Sequence, residues 1–381
     1  MIPGSVLPRI PRHGLSQAHP GVFPLSVFTH AQKFEPLPTP LGQPPYHYTL
    51  ETVVPGIDDS AAQLGKLVFH VVGDTGGVNI PTHQTAVADA MAADLSLADD
   101  ERPTFFYHLG DVVYFNGQVA DYYAQFYEPY AHYTAPILSI PGNHDGDPIN
   151  SSQTSLDGWV AYFMQATPHV DPNSHDAPRV TLSLPNVYWT LDAPFVTIVG
   201  MYTNVPEGGS IDSVQQQWLT NEFATAPADK ALIVALHHPI FSFDNFHSGS
   251  ARMADAVQLA INDSRRLPNL VLTGHVHNYQ RVEKVLTGAS PTPFLVAGLG
   301  GYYNLHKLNA SPGTTDSTTG AKLIAADDQH WGYVTLTVDA KTISGIATTV
   351  PNSGESGNSQ IDSFSYPASA QYLPENTTVS I

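Results

Sequence analysis

The chain alternates between short apolar runs and longer segments in which apolar residues recur at helical spacing, the pattern of an α/β layered fold. Five runs read as buried strands: LVFHVV (67–72), TFFYHL (104–109), APILSI (135–140), ALIVAL (231–236) and NLVLT (269–273). The alanine-rich THQTAVADAMAADLSLADD (82–100) predicts a helix between the first two. SIDSVQQQWLTNEFATA (210–226) predicts another, with Asp212 or Ser213 as N-cap. YWTLDAPFVTIVGMYT (188–203) predicts an antiparallel strand pair turning at Asp192–Pro194, and GYVTLTVDAKTISGIAT (332–348) a hairpin. Residues 146–180 read as a loop-rich insertion around a short helix. The resulting organisation is a proline-rich extended arm over 1–60, a single α/β domain over 61–350 and a mobile tail over 351–381, rich in Ser, Asn and Gly at its start.

Composition narrows what such a fold can do. At 381 residues and 42% hydrophobic, the chain can bury a sizeable core. Its net charge of −19 argues against nucleic-acid or anionic-membrane binding, which call for a basic face. The same charge repels anionic substrates, so an enzyme acting on them needs a local inversion of sign. The absence of cysteine excludes disulfides, thiolate metal sites and a cysteine nucleophile. The N-terminal stretch is broken by prolines and does not read as a signal peptide, and no run is long enough to span a membrane. Compartment stays open: secreted or periplasmic if a leader was removed, otherwise cytoplasmic.

The five strand candidates share a further property. Each runs directly into a residue of metal-ligand type: Asp74 in GDTGG, Asp111 and Tyr114 in GDVVYFNG, Asn143, His144 and Asp145 in PGNHD, His237 and His238 in HHP, and His275 and His277 in GHVHNYQR. Ligands of open α/β sheets bind outside the carboxyl ends of the strands, where these side chains converge. Four of the five turns contain a glycine, at 73, 110, 142 and 274, which allows close backbone approach. A lone Gly-Asp turn or a lone tyrosine beside a strand is ordinary packing, whereas five polar strand ends in this order point to a metal centre.

The ordered set GDTG, GDVVY, GNHD, VALH and GHVH resembles the five blocks of the purple acid phosphatases, a branch of the calcineurin-like metallophosphoesterases. The resemblance covers roughly residues 65–340. It implies a four-layer α/β/β/α sandwich with mixed sheets and metals at the C-terminal strand ends. It also implies an iron(III) held by Asp74, Tyr114 and His277, with Asp111 bridging to a second divalent ion, iron, zinc or manganese, completed by Asn143, His237 and His275. His237 rather than its neighbour His238 fits the V-x-x-H spacing. Many relatives carry a histidine two residues after the first aspartate. Here Gly76 stands there, and Tyr114 takes that role. Hard carboxylate and phenolate oxygens suit a trivalent ion, imidazoles and an amide oxygen a softer divalent one. Two ions less three anionic ligands leave a formal charge of about +2, enough to reverse the sign locally. The implied chemistry is attack of a metal-bound hydroxide on a phosphomonoester, either a small molecule or a phosphoprotein. His144 would contact substrate and protonate the leaving group, oriented by Asp145, with His238 and His247 as further pocket candidates.

Two alternatives remain on the sequence. A phosphodiesterase or diphosphate hydrolase would use the same metals with different loops (146–180, 204–212, 242–252). An iron-binding or redox protein would use them without hydrolysis. Zinc-lactamase, H-E-x-x-H, G-x-S-x-G and P-loop templates are all missing.

Overall fold

The computed structural model describes residues 33–288 and 290–381. Two mixed sheets face each other. The six-stranded sheet runs Ser359–Pro367, Thr342–Thr349, Gly332–Asp339, Lys66–Val72, Phe106–His108, Ile137–Ser139. Its last three strands are parallel and carry the first three motifs at their ends. The eight-stranded sheet runs His47–Thr49, Trp189–Ala193, Val196–Gly200, Ala231–Leu236, Leu270–Thr273, Thr292–Ala297, Tyr279–Lys284, Lys322–Asp327. Here Ala231–Leu236 and Leu270–Thr273 are parallel neighbours and deliver the last two motifs together. The sheets meet through large side chains: the Tyr107 and Trp189 rings lie 5.8 Å apart, and the Trp189 indole N–H donates to the Ser139 carbonyl at 3.1 Å. Helix Pro81–Asp94 covers the first sheet. Helices Ser213–Thr225 and Ala251–Ser264 pack together, and Glu222 of the first accepts from the Thr190 hydroxyl of the second sheet at 2.5 Å, completing the four layers expected.

Burial explains why the runs were legible. Every residue of Ala231–Leu236 is buried, as a parallel strand covered on both faces requires. Thr342–Thr349 alternates buried and partly exposed positions, as expected near the edge of an antiparallel sheet. Asp212 is the N-cap of its helix and accepts from the Gln215 N–H at 2.8 Å. The alanine-rich helix stops at Asp94, short of residue 100, and the Asp94 carboxylate accepts from the buried Tyr333 hydroxyl at 2.7 Å.

The two ends of the chain depart from expectation. Residues 351–381 are not a loose tail among the described residues. Ser359–Pro367 extends the six-stranded sheet beside Thr342–Thr349, burying Phe364 and Tyr366 on alternate positions. Gln371–Tyr372 then pairs with Arg266–Leu267. The Ser- and Gly-rich start of the segment masked this period-two pattern. Of the expected N-terminal arm, 1–32 lie outside the described residues. Residues 33–46 run without regular structure, but His47–Thr49 is an edge strand and Ile57–Leu64 a helix.

His47 fastens that edge strand. Its ring bonds Asp192 at 2.7 Å and Glu222 at 2.9 Å, and these bonds push its pKa up from 6.5 to about 10, Asp192 contributing most. A histidine whose value is raised by folding stabilises fully below its unfolded value, near 6.5, and stops doing so as pH climbs through about 10. Over a third of the ring faces solvent, so screening keeps the contribution within about 1 kcal/mol. His47→Ala is expected to lower the melting temperature by a few degrees at pH 6 and by progressively less towards pH 10, read by a pH series of thermal melts.

Candidate metal centre

All seven sequence-predicted ligands converge at the strand ends, and three do so on unusual backbone. Asp74, Asp111 and His275 have φ of 59°, 54° and 66°, in the left-handed region that non-glycine residues seldom occupy. Such conformations persist where the surrounding structure dictates them, and they aim these side chains inward. The neighbouring turns pass extremely close. A Cβ on Gly142 would lie 2.1 Å from Asp111 Oδ1, so only glycine admits that carboxylate.

The donor atoms fall into two groups. In the first, the Tyr114 hydroxyl lies 3.2 Å from Asp74 Oδ1 and 3.3 Å from His277 Nε2, and the latter two are 3.5 Å apart. In the second, Asn143 Oδ1 lies 3.0 Å from both His237 Nε2 and His275 Nδ1. Asp111 lies at the seam, its Oδ2 3.4 Å from His237 Nε2 and Asp74 Oδ1 4.0 Å from that same nitrogen. Asp111 Oδ1 accepts the His144 N–H at 2.9 Å, whereas the buried Oδ2 has no hydrogen-bond partner. An orphaned buried carboxylate oxygen between two groups of nitrogen and oxygen donors fits a pair of cations.

Two of the imidazoles are oriented as metal binding needs. His237 Nδ1 donates to the Leu109 carbonyl at 2.8 Å and His277 Nδ1 to the Asn304 carbonyl at 3.1 Å. Each ring thereby turns its Nε2 to the centre. Of the adjacent histidines, His237 faces the centre. His238 turns away, its Nδ1 2.7 Å from the Thr203 hydroxyl.

Electrostatics make the pocket a cation trap. Burial raises Asp74 well above the ordinary carboxylate range against the pull of His237, and the nearby Asp111 adds to the rise. Burial likewise pushes the Tyr114 phenol well up, with Asp111 and Asp74 adding to it. These are groups that ionise fully only when positive charge arrives.

The position of Gly76 is filled from the side. A Cβ there would meet Tyr114 Cδ2 at 2.7 Å and Gln125 Oε1 at 2.5 Å. The Gln125 amide also braces the Tyr114 backbone, accepting its N–H at 2.8 Å and donating to its carbonyl at 2.7 Å. A histidine at 76 and the tyrosine at 114 are therefore mutually exclusive in this packing.

The proton-transfer candidates divide. His144 stands at the rim with its ring 4.7 Å from that of Tyr114. Its Nδ1 donates to the Phe115 carbonyl at 2.9 Å, leaving Nε2 free. Asp145 does not orient it. That carboxylate is buried and accepts the N–H groups of Gly142 at 2.8 Å, Val112 at 3.0 Å and Val113 at 3.3 Å, tying two ligand-bearing turns together. Three turn amides outcompete an imidazole that already has a carbonyl partner. His247 does reach the pocket, its ring 4.5 Å from that of His275. Three lining residues escaped the sequence reading. Glu207 lies 2.9 Å from His247 Nδ1. Tyr302 packs 4.3 Å from both the Tyr114 and His277 rings, and His306 lies 4.3 Å from His277. The GLGGYYNLH run (298–306) is the only local signal for Tyr302 and His306, and Glu207 has none.

Facing mixed sheets with carboxylate, phenolate and imidazole donors at their strand ends define the metallophosphoesterase class of architecture. The family model for calcineurin-like phosphoesterase matches residues 67–279, more than half the chain, and the chain belongs to that family. It is similar to purple acid phosphatase 22 of Arabidopsis thaliana, 26% identical over 226 residues that cover 57% of this chain and 45% of that protein. Purple acid phosphatase 18 of the same plant is 24% identical over 233 residues, covering 55% of this chain and 48% of that one. The chain thus spans less than half the length of these curated relatives. Among solved structures, the purple acid phosphatase PPD1 from yellow lupin (Lupinus luteus) seeds superposes with a TM-score of 0.56 at 20% identity, over 79% of this chain and 53% of that one. GAP50, described as the anchor in the inner membrane complex of Plasmodium, gives 0.53 at 13% identity, over 78% and 89% respectively. At these identities the structural likeness bears on fold alone. Among the described residues no helix is long and apolar enough to cross a membrane.

Proposed function

We propose that the protein is an acid phosphatase that hydrolyses phosphomonoesters at a binuclear centre. In this reading Asp74, Tyr114 and His277 hold iron(III), Asn143, His237 and His275 hold a divalent ion, and Asp111 serves both. The carrying observation is the segregation of donors into two groups with the unpartnered Asp111 oxygen between them. When bound, the metals supply Lewis acidity and a water activated at acidic to neutral pH. The chain's own part is to hold the phosphoryl group and manage the proton. His144, with Nδ1 fixed on Phe115, offers Nε2 to the leaving-group oxygen. His247 lines the opposite rim, where an imidazole can contact a phosphate oxygen. The positive charge of the centre is local, which reconciles an anionic substrate with a chain of net charge −19.

Metal analysis followed by turnover of a mono-aryl and a bis-aryl phosphate between pH 4 and 8 tests this. The expected result is two metal equivalents with the monoester strongly preferred at acidic pH. Comparable cleavage of the bis-aryl ester would move the reading to a diesterase. A fully metal-loaded protein inert to both esters would overturn it in favour of a non-hydrolytic role.

A further inference from the structure

Three histidines turn a ring nitrogen into the centre, and for two of them a backbone carbonyl holds the opposite nitrogen. His275 has no carbonyl in that position. Its Nδ1 lies 3.0 Å from Asn143 Oδ1, and its buried Nε2 has no hydrogen-bond partner, with Glu207 Oε1 3.5 Å away. The same Glu207 oxygen lies 2.9 Å from His247 Nδ1. One carboxylate oxygen therefore touches both an inner-ring imidazole and the rim imidazole.

The loop that carries Glu207 is built to hold it still. Gly208 and Gly209 both have φ of 74°, and the Gly209 N–H closes the turn on the Pro206 carbonyl at 2.7 Å. The Ser250 hydroxyl, N-cap of helix Ala251–Ser264, donates to the Gly208 carbonyl. On the other side the Asn204 side chain bonds the Glu35 backbone in both directions, at 2.8 and 2.9 Å. A carboxylate with half its surface exposed is usually mobile, but this one sits on a turn pinned from two directions.

We infer that Glu207 is a positioning residue of the centre: once a cation takes His275 Nδ1, the ring proton belongs on Nε2, and Glu207 is placed to accept it while holding His247 at the rim. Carboxylates commonly do this for metal-bound histidines, and their loss typically weakens metal binding 10- to 100-fold. Glu207 is the sole partner of the three that mutation can remove, because the other two are main-chain carbonyls. The inference rests on the proposed metal reading, and the test below separates the two.

In the zinc-loaded protein, ¹⁵N-edited NMR should show His275 Nε2–H as a downfield, slowly exchanging proton. In Glu207→Ala that signal should move upfield and exchange faster, and affinity for the second divalent ion should fall at least tenfold by competition against a chelator. Glu207→Gln, whose amide oxygen can still accept from one imidazole, should lie between. The KM for an aryl phosphate should rise in Glu207→Ala, through the loosened His247. An unchanged His275 Nε2–H signal with unchanged metal affinity in Glu207→Ala would overturn the inference. Should the wild type prove inert towards phosphate esters, the Nε2–H and affinity measurements still decide it.

Discussion

Asp111→Asn is expected to abolish paired metal binding and to lower phosphatase turnover on the order of a thousandfold, and to leave the metal-free fold less stable than the wild type near neutral pH. The substitution is isosteric. Asparagine Oδ1 can keep the 2.9 Å bond from the His144 N–H, so the turn it supports need not move. The change falls on the other atom. Where Asp111 presents an unpartnered oxygen to the space between the donor groups, asparagine presents two N–H donors, which repel a cation and cannot bridge. Both ions lose a ligand at once, so the penalty exceeds that of losing a ligand to one.

The stability half of the expectation follows from the charges around Asp111. Burial opposes its ionisation, but His237, 3.4 Å away, with His144 and His275 holds its carboxyl below the ordinary carboxylate range. A carboxyl depressed by folding contributes stability above its unfolded value, and that contribution is lost as pH falls through the folded one. Asparagine removes it and leaves His237 without its partner charge. Calorimetric melts of stripped protein, paired with metal analysis after reloading, check both halves. Two retained metal equivalents with wild-type turnover would remove Asp111 from its bridging role. Gly142→Ala makes a useful contrast, because its Cβ would strike Asp111 Oδ1 without changing the carboxylate's chemistry. It should lose metal as well, but its lower melting temperature comes from a clash and should vary little with pH.

The proposed ligand set is legible because its members follow buried apolar runs closely, and the strand that produces each run also fixes where its end points. Leu270–Thr273 leads through Gly274 to His275, and Ala231–Leu236 leads directly to His237, so two parallel neighbours carry their imidazoles to the same place. Glu207 has no such run before it. It reaches the centre on a turn whose position is set by Ser250 and Glu35, residues distant in sequence, so no local pattern could announce it. Asp145 was misread for a related reason. Adjacency to His144 suggested a pair, yet α-helical geometry over Asn143–Gly146 sends its carboxylate back towards Gly142 and across to the Val112 turn. The strand at Ser359–Pro367 alternates over its second half, but serine fills its outer positions there and Asp362, bonded to Arg281 at 2.7 Å, shares the face of Phe364 and Tyr366, so little apolar content marks it.

Tyr114 distinguishes this centre from relatives that place a histidine after the first aspartate, and Tyr114→Phe isolates what its hydroxyl does. Phenolate bound to iron(III) absorbs strongly in the visible, so the loaded wild type should be pink or purple and the variant colourless. Phenylalanine keeps the ring that fills the space beside Gly76 and packs 4.3 Å from Tyr302, so the fold should be retained. What disappears is one hard anionic oxygen, 3.2 Å from Asp74 Oδ1 and 3.3 Å from His277 Nε2. Trivalent iron loses most from that change, so iron affinity should fall by more than zinc or manganese affinity, and turnover by about 10- to 100-fold. Protons give an independent reading. Burial holds the free phenol protonated, its pKa pushed well above the ordinary value, so iron can bind the phenolate only by displacing that proton. Iron loading of the wild type should release about one more proton than loading of the variant, measurable by titration in weak buffer. A wild type that takes up iron(III), stays colourless after oxidation and releases no extra proton would show that the phenol stands beside the metal without binding it. The tyrosine of the GDVVY motif would then be packing, and the centre would belong with the histidine- and carboxylate-only phosphoesterases.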